Sequence, residues 1–310
     1  MSTSPRLPRL LWLPLVSAML LTACSSAGIS LSHVVPVHSA KLALATGRPV
    51  TQGPIPPVIP GVVWHRAALN AAGVATVYLA QLGLGRTAMW LDPTRLRFRF
   101  IPGVQYPENS PLRPIDYMPS TWVPLMAAAF NGGYKLSDGV GGYFYAGTTV
   151  APLRVGLAAM FVGTNGSLRV GVWGRDVKSL KGLVAVRENL PPLVDQGVAK
   201  ASPTDGVSKW GIPARHQFNV ARSALGNLGD GSLMYVFMLS GTAFDLANEL
   251  VHLGVRTAID LDMNRGWPAA FVYRHSTSGT TGTKINPAIA HTADVYFDRP
   301  LKDFVVAMFR

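Results

Sequence analysis

Asp260, Asp262 and Asn264 alternate with Leu261 and Met263 in the run V-R-T-A-I-D-L-D-M-N-R-G-W, Val255 to Trp267. Successive side chains of a β-strand point to opposite faces. The spacing therefore predicts a strand with both carboxylates and the amide on one face, and Ile259, Leu261 and Met263 on the other. Two carboxylates about 7 Å apart at the end of a buried strand are costly unless paired, hydrogen-bonded or used. This makes the run the candidate chemical centre, with Asp260 close enough to Asp262 to shift its pKa or share a proton. The other reading of the same letters is a solvated D-x-D-x-N turn. The pattern also suggests calcium, but an EF-hand loop needs Gly at its sixth position and Glu at its twelfth. Here those positions hold Arg265 and Phe271. An EF-hand is excluded. A different oxygen-ligated divalent metal site stays open, and no other cofactor is expected.

Two further groups of residues suit a site. Arg222 stands among small and apolar residues in N-V-A-R-S-A-L-G, Asn219 to Gly226. A guanidinium there either pairs with a carboxylate or meets an anionic ligand. Asn131-Gly132-Gly133-Tyr134 follows an apolar run, and two glycines let the backbone turn sharply or approach a ligand closely; an ordinary hairpin turn would use the same residues. The seven histidines show no H-E-x-x-H spacing and no G-x-S-x-G occurs, which argues against a zinc protease and a serine hydrolase.

The elements that must position these residues are mostly strands. Thr242 to Leu253 reads as an amphipathic helix with an apolar stripe of Ala243, Leu246, Ala247, Leu250 and Leu253. Thr242 and Asp245 form an approximate capping box, and Gly254 suits a left-handed C-terminal cap. Strands are predicted at 76–82, 87–91, 96–101, 125–130, 157–162, 167–172, 183–187, 232–239, 269–273, 294–297 and 304–309. Pro102 to Pro119 and the Ser/Thr/Gly segment 276–283 read as loops. The expected fold is α+β, a mixed, strand-rich sheet with few helices, in a single domain over residues 62–310.

The N-terminus predicts the compartment. Arg6 and Arg9 precede a mostly apolar stretch, Leu10 to Ala23, too short to serve as a mature membrane span. Residues 1–23 thus read as a signal peptide ending in Leu21-Thr22-Ala23-Cys24, which resembles a bacterial lipobox. Cys24 is the sole cysteine, so no internal disulfide can form, and its position predicts lipidation. Residues 24–61 form a Pro-rich spacer ending in G-P-I-P-P-V-I-P-G. The chain is expected to be extracytoplasmic and lipid-anchored to the bacterial cell membrane. Its charge of +12 favours anionic partners, but no nucleic-acid signature or dense Lys/Arg stripe occurs, so nucleic acid is set aside.

Several segments together resemble the phosphodiester glycosidase family. Asn131-Gly132-Gly133-Tyr134 is similar to its N-G-G-[FY] motif, and Arg222 to Gly226 followed by Asp230-Gly231 to its R-[ST]-A-[IVL]-G…D-G segment. Glu249 to Gly254 followed by Ala258-Ile259-Asp260-Leu261-Asp262 resembles its E-L-A-x-x-[LM]-x-x-L-G…A-[LI]-N-L-D-G-G-G-S-S. After the aspartate this chain instead reads Met263-Asn264-Arg265-Gly266-Trp267, and Asp260 replaces the usual Asn. The resemblance implies hydrolysis of sugar phosphodiesters or cell-envelope glycans through an oxocarbenium-like transition state. It implies Asp262 as nucleophile or water-activating base, with Asp260 beside it, and Arg222 on the phosphate. Asn131, Gly132, Gly133, Asn264 and Trp267 would contact the sugar. The alternative expectation is a non-catalytic carbohydrate-binding or structural envelope lipoprotein on the same scaffold.

Overall fold

Leu225, Leu233, Tyr235, Phe237 and Ile259 join one buried cluster, whereas Ala224, Met234, Val236, Met238 and Ala258 join another. The residues alternate along three neighbouring strands, as a period of two requires. A sheet covered on both faces needs strands that are apolar throughout, which is why 233–239 reads L-M-Y-V-F-M-L. The computed structural model describes residues 55–103, 118–297 and 300–310. The expected signal peptide, Cys24 and most of the spacer and of the 102–119 loop lie outside the described residues. Residues Pro49–Arg310 make up one compact unit.

Strands are numbered in chain order. The largest sheet runs β1 (His65–Leu69), β2 (Ala75–Gln81), β3 (Arg86–Leu91), β14 (Leu233–Gly241), β13 (Val220–Asn227), β15 (Thr257–Asp260), β11 (Val194–Asp195) and β12 (Val198–Ala199). A second runs β17 (Gly279–Lys284), β16 (Ala270–Ser276), β5 (Met126–Asn131), β18 (Phe304–Phe309) and β4 (Leu96–Ile101). The third runs β7 (Thr148–Ala151), β6 (Tyr143–Tyr145), β10 (Leu183–Glu188), β8 (Ala158–Gly163) and β9 (Leu168–Val172). The fold is α+β and strand-rich. Its ladders are antiparallel, and the parallel pairing among the described residues is the isolated bridge between Trp173 and Val177. All three sheets contribute to the main apolar cluster, which includes Phe98, Phe130, Met160, Val170, Tyr235 and Phe304.

The helix α1 (Ala243–His252) covers the other face of the largest sheet through Leu246, Ala247 and Leu250. Both its ends form as expected. The Asp245 amide donates to Thr242 Oγ1 at 3.1 Å, and the Thr242 amide to Asp245 Oδ2 at 2.8 Å. At the far end Gly254 takes φ 82°, while Gly254 N donates to Val251 O and Val255 N to Leu250 O. That pair of bonds is a Schellman cap, which fixes where the chain turns into β15.

Three expectations change. The 276–283 segment is an edge strand in part, because β17 pairs residue by residue with β16, from Phe271 opposite Lys284 to Ser276 opposite Gly279. Its Thr and Gly content follows from alternating half-exposure at a sheet edge. Residues Ala293–Tyr296 form a 3-10 turn instead of a strand. The acidic strand ends at Asp260 and does not reach Asp262. Among the described residues no helix is long and apolar enough to cross a membrane.

Candidate functional site

The end of β15 decides where the acidic residues go. Leu261 N donates to Ser223 O, continuing the β13 register, but the next such bond runs from Asn264 N to Ala221 O. Three residue steps on one chain oppose two on the other, so the chain carries one extra residue and bulges at Asp262 and Met263. Bulges re-aim side chains. Within this one the Asp262 amide leaves the largest sheet and donates to Gly132 O, beyond the end of β5 in the second sheet. Asn264 takes φ 74° at the far side of the bulge. Met263 consequently departs from the face of Ile259 and Leu261 and packs with Tyr134 and Val220.

Asp260 and Asp262 thus meet different surroundings. Asp260 is fully buried; its Oδ2 accepts from Tyr134 Oη at 2.8 Å and lies 3.6 Å from an Arg222 nitrogen. Burial pushes its carboxyl up to about 6, against the lowering effect of Arg222 and of the Tyr134 hydroxyl. Asp262 instead lines a cavity of about 90 Å³ and is ion-paired with Lys302. Its Oδ1 accepts from the Met263 amide at 2.8 Å. No hydrogen bond joins the two carboxyl groups among the described residues, and the expected proton sharing has no geometry behind it.

Lys302 stacks on Trp267, its ammonium 4.5 Å from the ring centroid, within cation–π reach. Burial pulls the lysine down to about 8, with Asp303 favouring the charged form and Arg187 disfavouring it. Asp262, Trp267 and Lys302 also line an adjoining cavity of about 180 Å³, shared with Lys135, Asp138 and Asn264. Asn264 itself accepts from the Ala214 amide at 2.7 Å. The arrangement offers a carboxylate, an ammonium and an indole face to anything bound there.

The Asn131-Gly132-Gly133 segment lines the first cavity, but its side chain looks inward. Asn131 Oδ1 accepts from Tyr235 Oη at 2.8 Å and from Ala269 N at 3.1 Å, and Nδ2 donates to Gly132 O and Ser223 Oγ. It latches β5, β13, β14 and the start of β16 together. The glycines make room for protein, not only for a ligand. A Cβ on Gly132 would stand 2.6 Å from Asp303 Cγ, and one on Gly133 would stand 2.4 Å from Asn189 Oδ1. Gly133→Ala should therefore cost about 1–3 kcal/mol in urea unfolding, and Gly206→Ala, which meets nothing within 4 Å, should stay within about 0.5 kcal/mol of the wild type. Equal midpoints for the two variants would show that the glycine pair is not a packing requirement.

Arg222 does not reach the cavity of Asp262. Its nitrogens donate to Gly241 O at 3.2 Å and Trp210 O at 3.1 Å, leaving it as the buried counter-charge of Asp260.

Several solved structures are similar to the chain. The zebrafish N-acetylglucosamine-1-phosphodiester alpha-N-acetylglucosaminidase catalytic domain, auto-inhibited by its pro-peptide, is 14% identical, with 80% of this chain and 81% of that one covered at a TM-score of 0.44. A hypothetical protein from Synechocystis is 12% identical over 81% of this chain and 62% of that one, at a TM-score of 0.37. A putative exported protein from Burkholderia pseudomallei is 9% identical over 76% and 75%, at 0.30. No family model and no curated protein matches the chain.

Sequence reasoning missed the residues that come from far along the chain. Arg187, 1% exposed, donates from Nε to Asp303 Oδ2 at 2.9 Å, from one terminal nitrogen to Glu188 O at 2.8 Å, and from the other to Tyr134 O. Asn189 Oδ1 accepts from Tyr134 N at 3.2 Å, while its Nδ2 donates to Asp260 O at 2.6 Å. The one available signal was three consecutive polar residues, Arg187-Glu188-Asn189, closing an apolar strand. Among the described residues no group of three or more His, Cys, Asp or Glu side chains is placed to hold a metal ion.

Proposed function

We propose that the chain is an extracytoplasmic, lipid-anchored hydrolase acting on sugar phosphodiesters or cell-envelope glycans, with Asp262 as its reacting carboxylate. The observation that carries this reading is the bulge, which turns Asp262 away from the Asp260 network and into a cavity walled by Trp267. An oxocarbenium-like transition state needs a carboxylate near the anomeric carbon, as nucleophile or as base for water. An indole face suits the apolar side of a sugar, and a phosphodiester leaving group asks little of a general acid. Asp260 and Arg222 act behind the site, through Tyr134, and are positioning residues here.

The test is a panel of sugar phosphodiesters incubated with the folded protein and with Asp262→Asn. Turnover by the wild type and none by the variant is expected; equal turnover by both would remove Asp262 from the chemistry. One observation favours a second reading, a carbohydrate-binding lipoprotein without turnover. The Lys302 ammonium already occupies the Asp262 carboxylate. Glycan binding with no product from any substrate would favour it.

The anchor rests on the lipobox-like Leu21-Thr22-Ala23-Cys24. Cys24→Ala should abolish incorporation of radiolabelled palmitate and release the protein from the membrane fraction. Undiminished labelling of the variant would sink the anchor.

A further inference from the structure

Lys302 stands where the two cavities meet. On one side lie Ala269 and Tyr296, on the other Lys135, Asp138 and Asn264, and Trp267 walls both. Its side chain is 9% exposed, the ammonium set against Asp262 and over the indole. A buried ammonium needs an anion beside it, but it does not need a particular one. An incoming phosphate can replace the carboxylate without leaving Lys302 uncompensated. The displaced carboxylate would remain held through Oδ1 by the Met263 amide. Arg222 cannot serve the same phosphate, being tied to Gly241, Trp210 and Asp260.

We propose that Lys302 is the anion anchor of the site and works by exchanging partners. In the empty site it pairs with Asp262; a ligand phosphate entering on the Lys135 side takes the ammonium over and frees the carboxylate toward the cavity lined by Ala269 and Tyr296. This rests on the phosphodiester reading above and names the group that holds the phosphate. It also gives the ion pair a function, since Asp262 is released for chemistry only when an anionic substrate is present.

Inorganic phosphate, titrated calorimetrically into the full chain in non-ionic detergent, tests the exchange without requiring turnover. Asp262→Asn removes the competitor for the ammonium and should bind phosphate about tenfold more tightly than the wild type. The double variant Asp262→Asn/Lys302→Met, which leaves no unpaired charge of the two, should lose that gain. A second measurement uses the wild-type charges. Phosphate should change the tryptophan fluorescence as the ammonium shifts over the ring, and Trp267→Phe should remove the change. Phosphate binding no tighter in Asp262→Asn, or equally tight in the double variant, overturns the proposal, as does a fluorescence response that survives Trp267→Phe. Phosphate bound with the expected ranking but no hydrolysis of any substrate sinks the hydrolase reading alone.

Discussion

Arg187→Met should destabilise the folded domain by about 3–5 kcal/mol, the cost of stranding one member of a buried ion pair. Both side chains of the pair are 1% exposed, so solvent cannot screen the Asp303 carboxylate once its partner is gone. The guanidinium also satisfies the carbonyls of Glu188 and Tyr134, and Met offers neither a donor. Arg187→Lys should recover little, because one ammonium cannot reproduce a planar fork with three separate acceptors. The double variant Arg187→Met/Asp303→Asn should be more stable than Arg187→Met alone, since no uncompensated charge remains. Chemical unfolding of the four proteins checks the ranking. If Arg187→Met unfolded at the wild-type midpoint, the pair would not hold the start of β18 in place. The site is involved as well, because Asp303 follows Lys302 directly and its carbonyl accepts from Gly132 N.

What the sequence made legible follows how local each determinant is. The helix α1 was readable to the residue at its caps, because Thr242, Asp245 and Gly254 act within one turn of its ends. Strands such as Leu96–Ile101 and Phe304–Phe309 were readable because burial on a pleated sheet leaves an apolar run. The bulge was not. Whether Asp262 continues β15 or crosses to Gly132 depends on which strand lies beside it, and β5 is more than a hundred residues away in the chain. The same holds for Lys302 and Asp303, which look like an ordinary polar turn before an apolar strand. Only the fold brings them against Asp262 and Arg187. Composition misled at 279–284, where Thr and Gly suggest a loop but pairing with β16 makes an edge strand. Arg222 reads from the sequence as the partner of a carboxylate or of an anionic ligand, and nothing within its own strand selects Asp260, which only the fold brings beside it.

Asp260 should make the domain lose stability as pH rises from well below 3.8 to well above about 6, by about 3 kcal/mol in all from this group alone. The sign follows from proton binding. Burial raises the folded carboxyl to about 6, whereas the unfolded chain ionises near the ordinary value of 3.8. Below that lower value both states carry the proton and the contribution is complete. Between the two the native state holds a proton that the unfolded state has released, so raising the pH favours unfolding. Above about 6 both are ionised, and the cost of burying the carboxylate is borne in full despite Tyr134 and Arg222. Asp260→Asn is neutral throughout and cannot show this slope, although it leaves the Arg222 guanidinium without its counter-charge. The quantity to measure is the difference in unfolding free energy between wild type and Asp260→Asn at about pH 4 and about pH 7. Titrations common to both proteins cancel in that difference, which should move by about 2.5 kcal/mol against the wild type as pH rises. A difference that stays flat would mean that Tyr134 and Arg222 fully compensate the burial of Asp260, and that the folded carboxyl ionises where the unfolded one does.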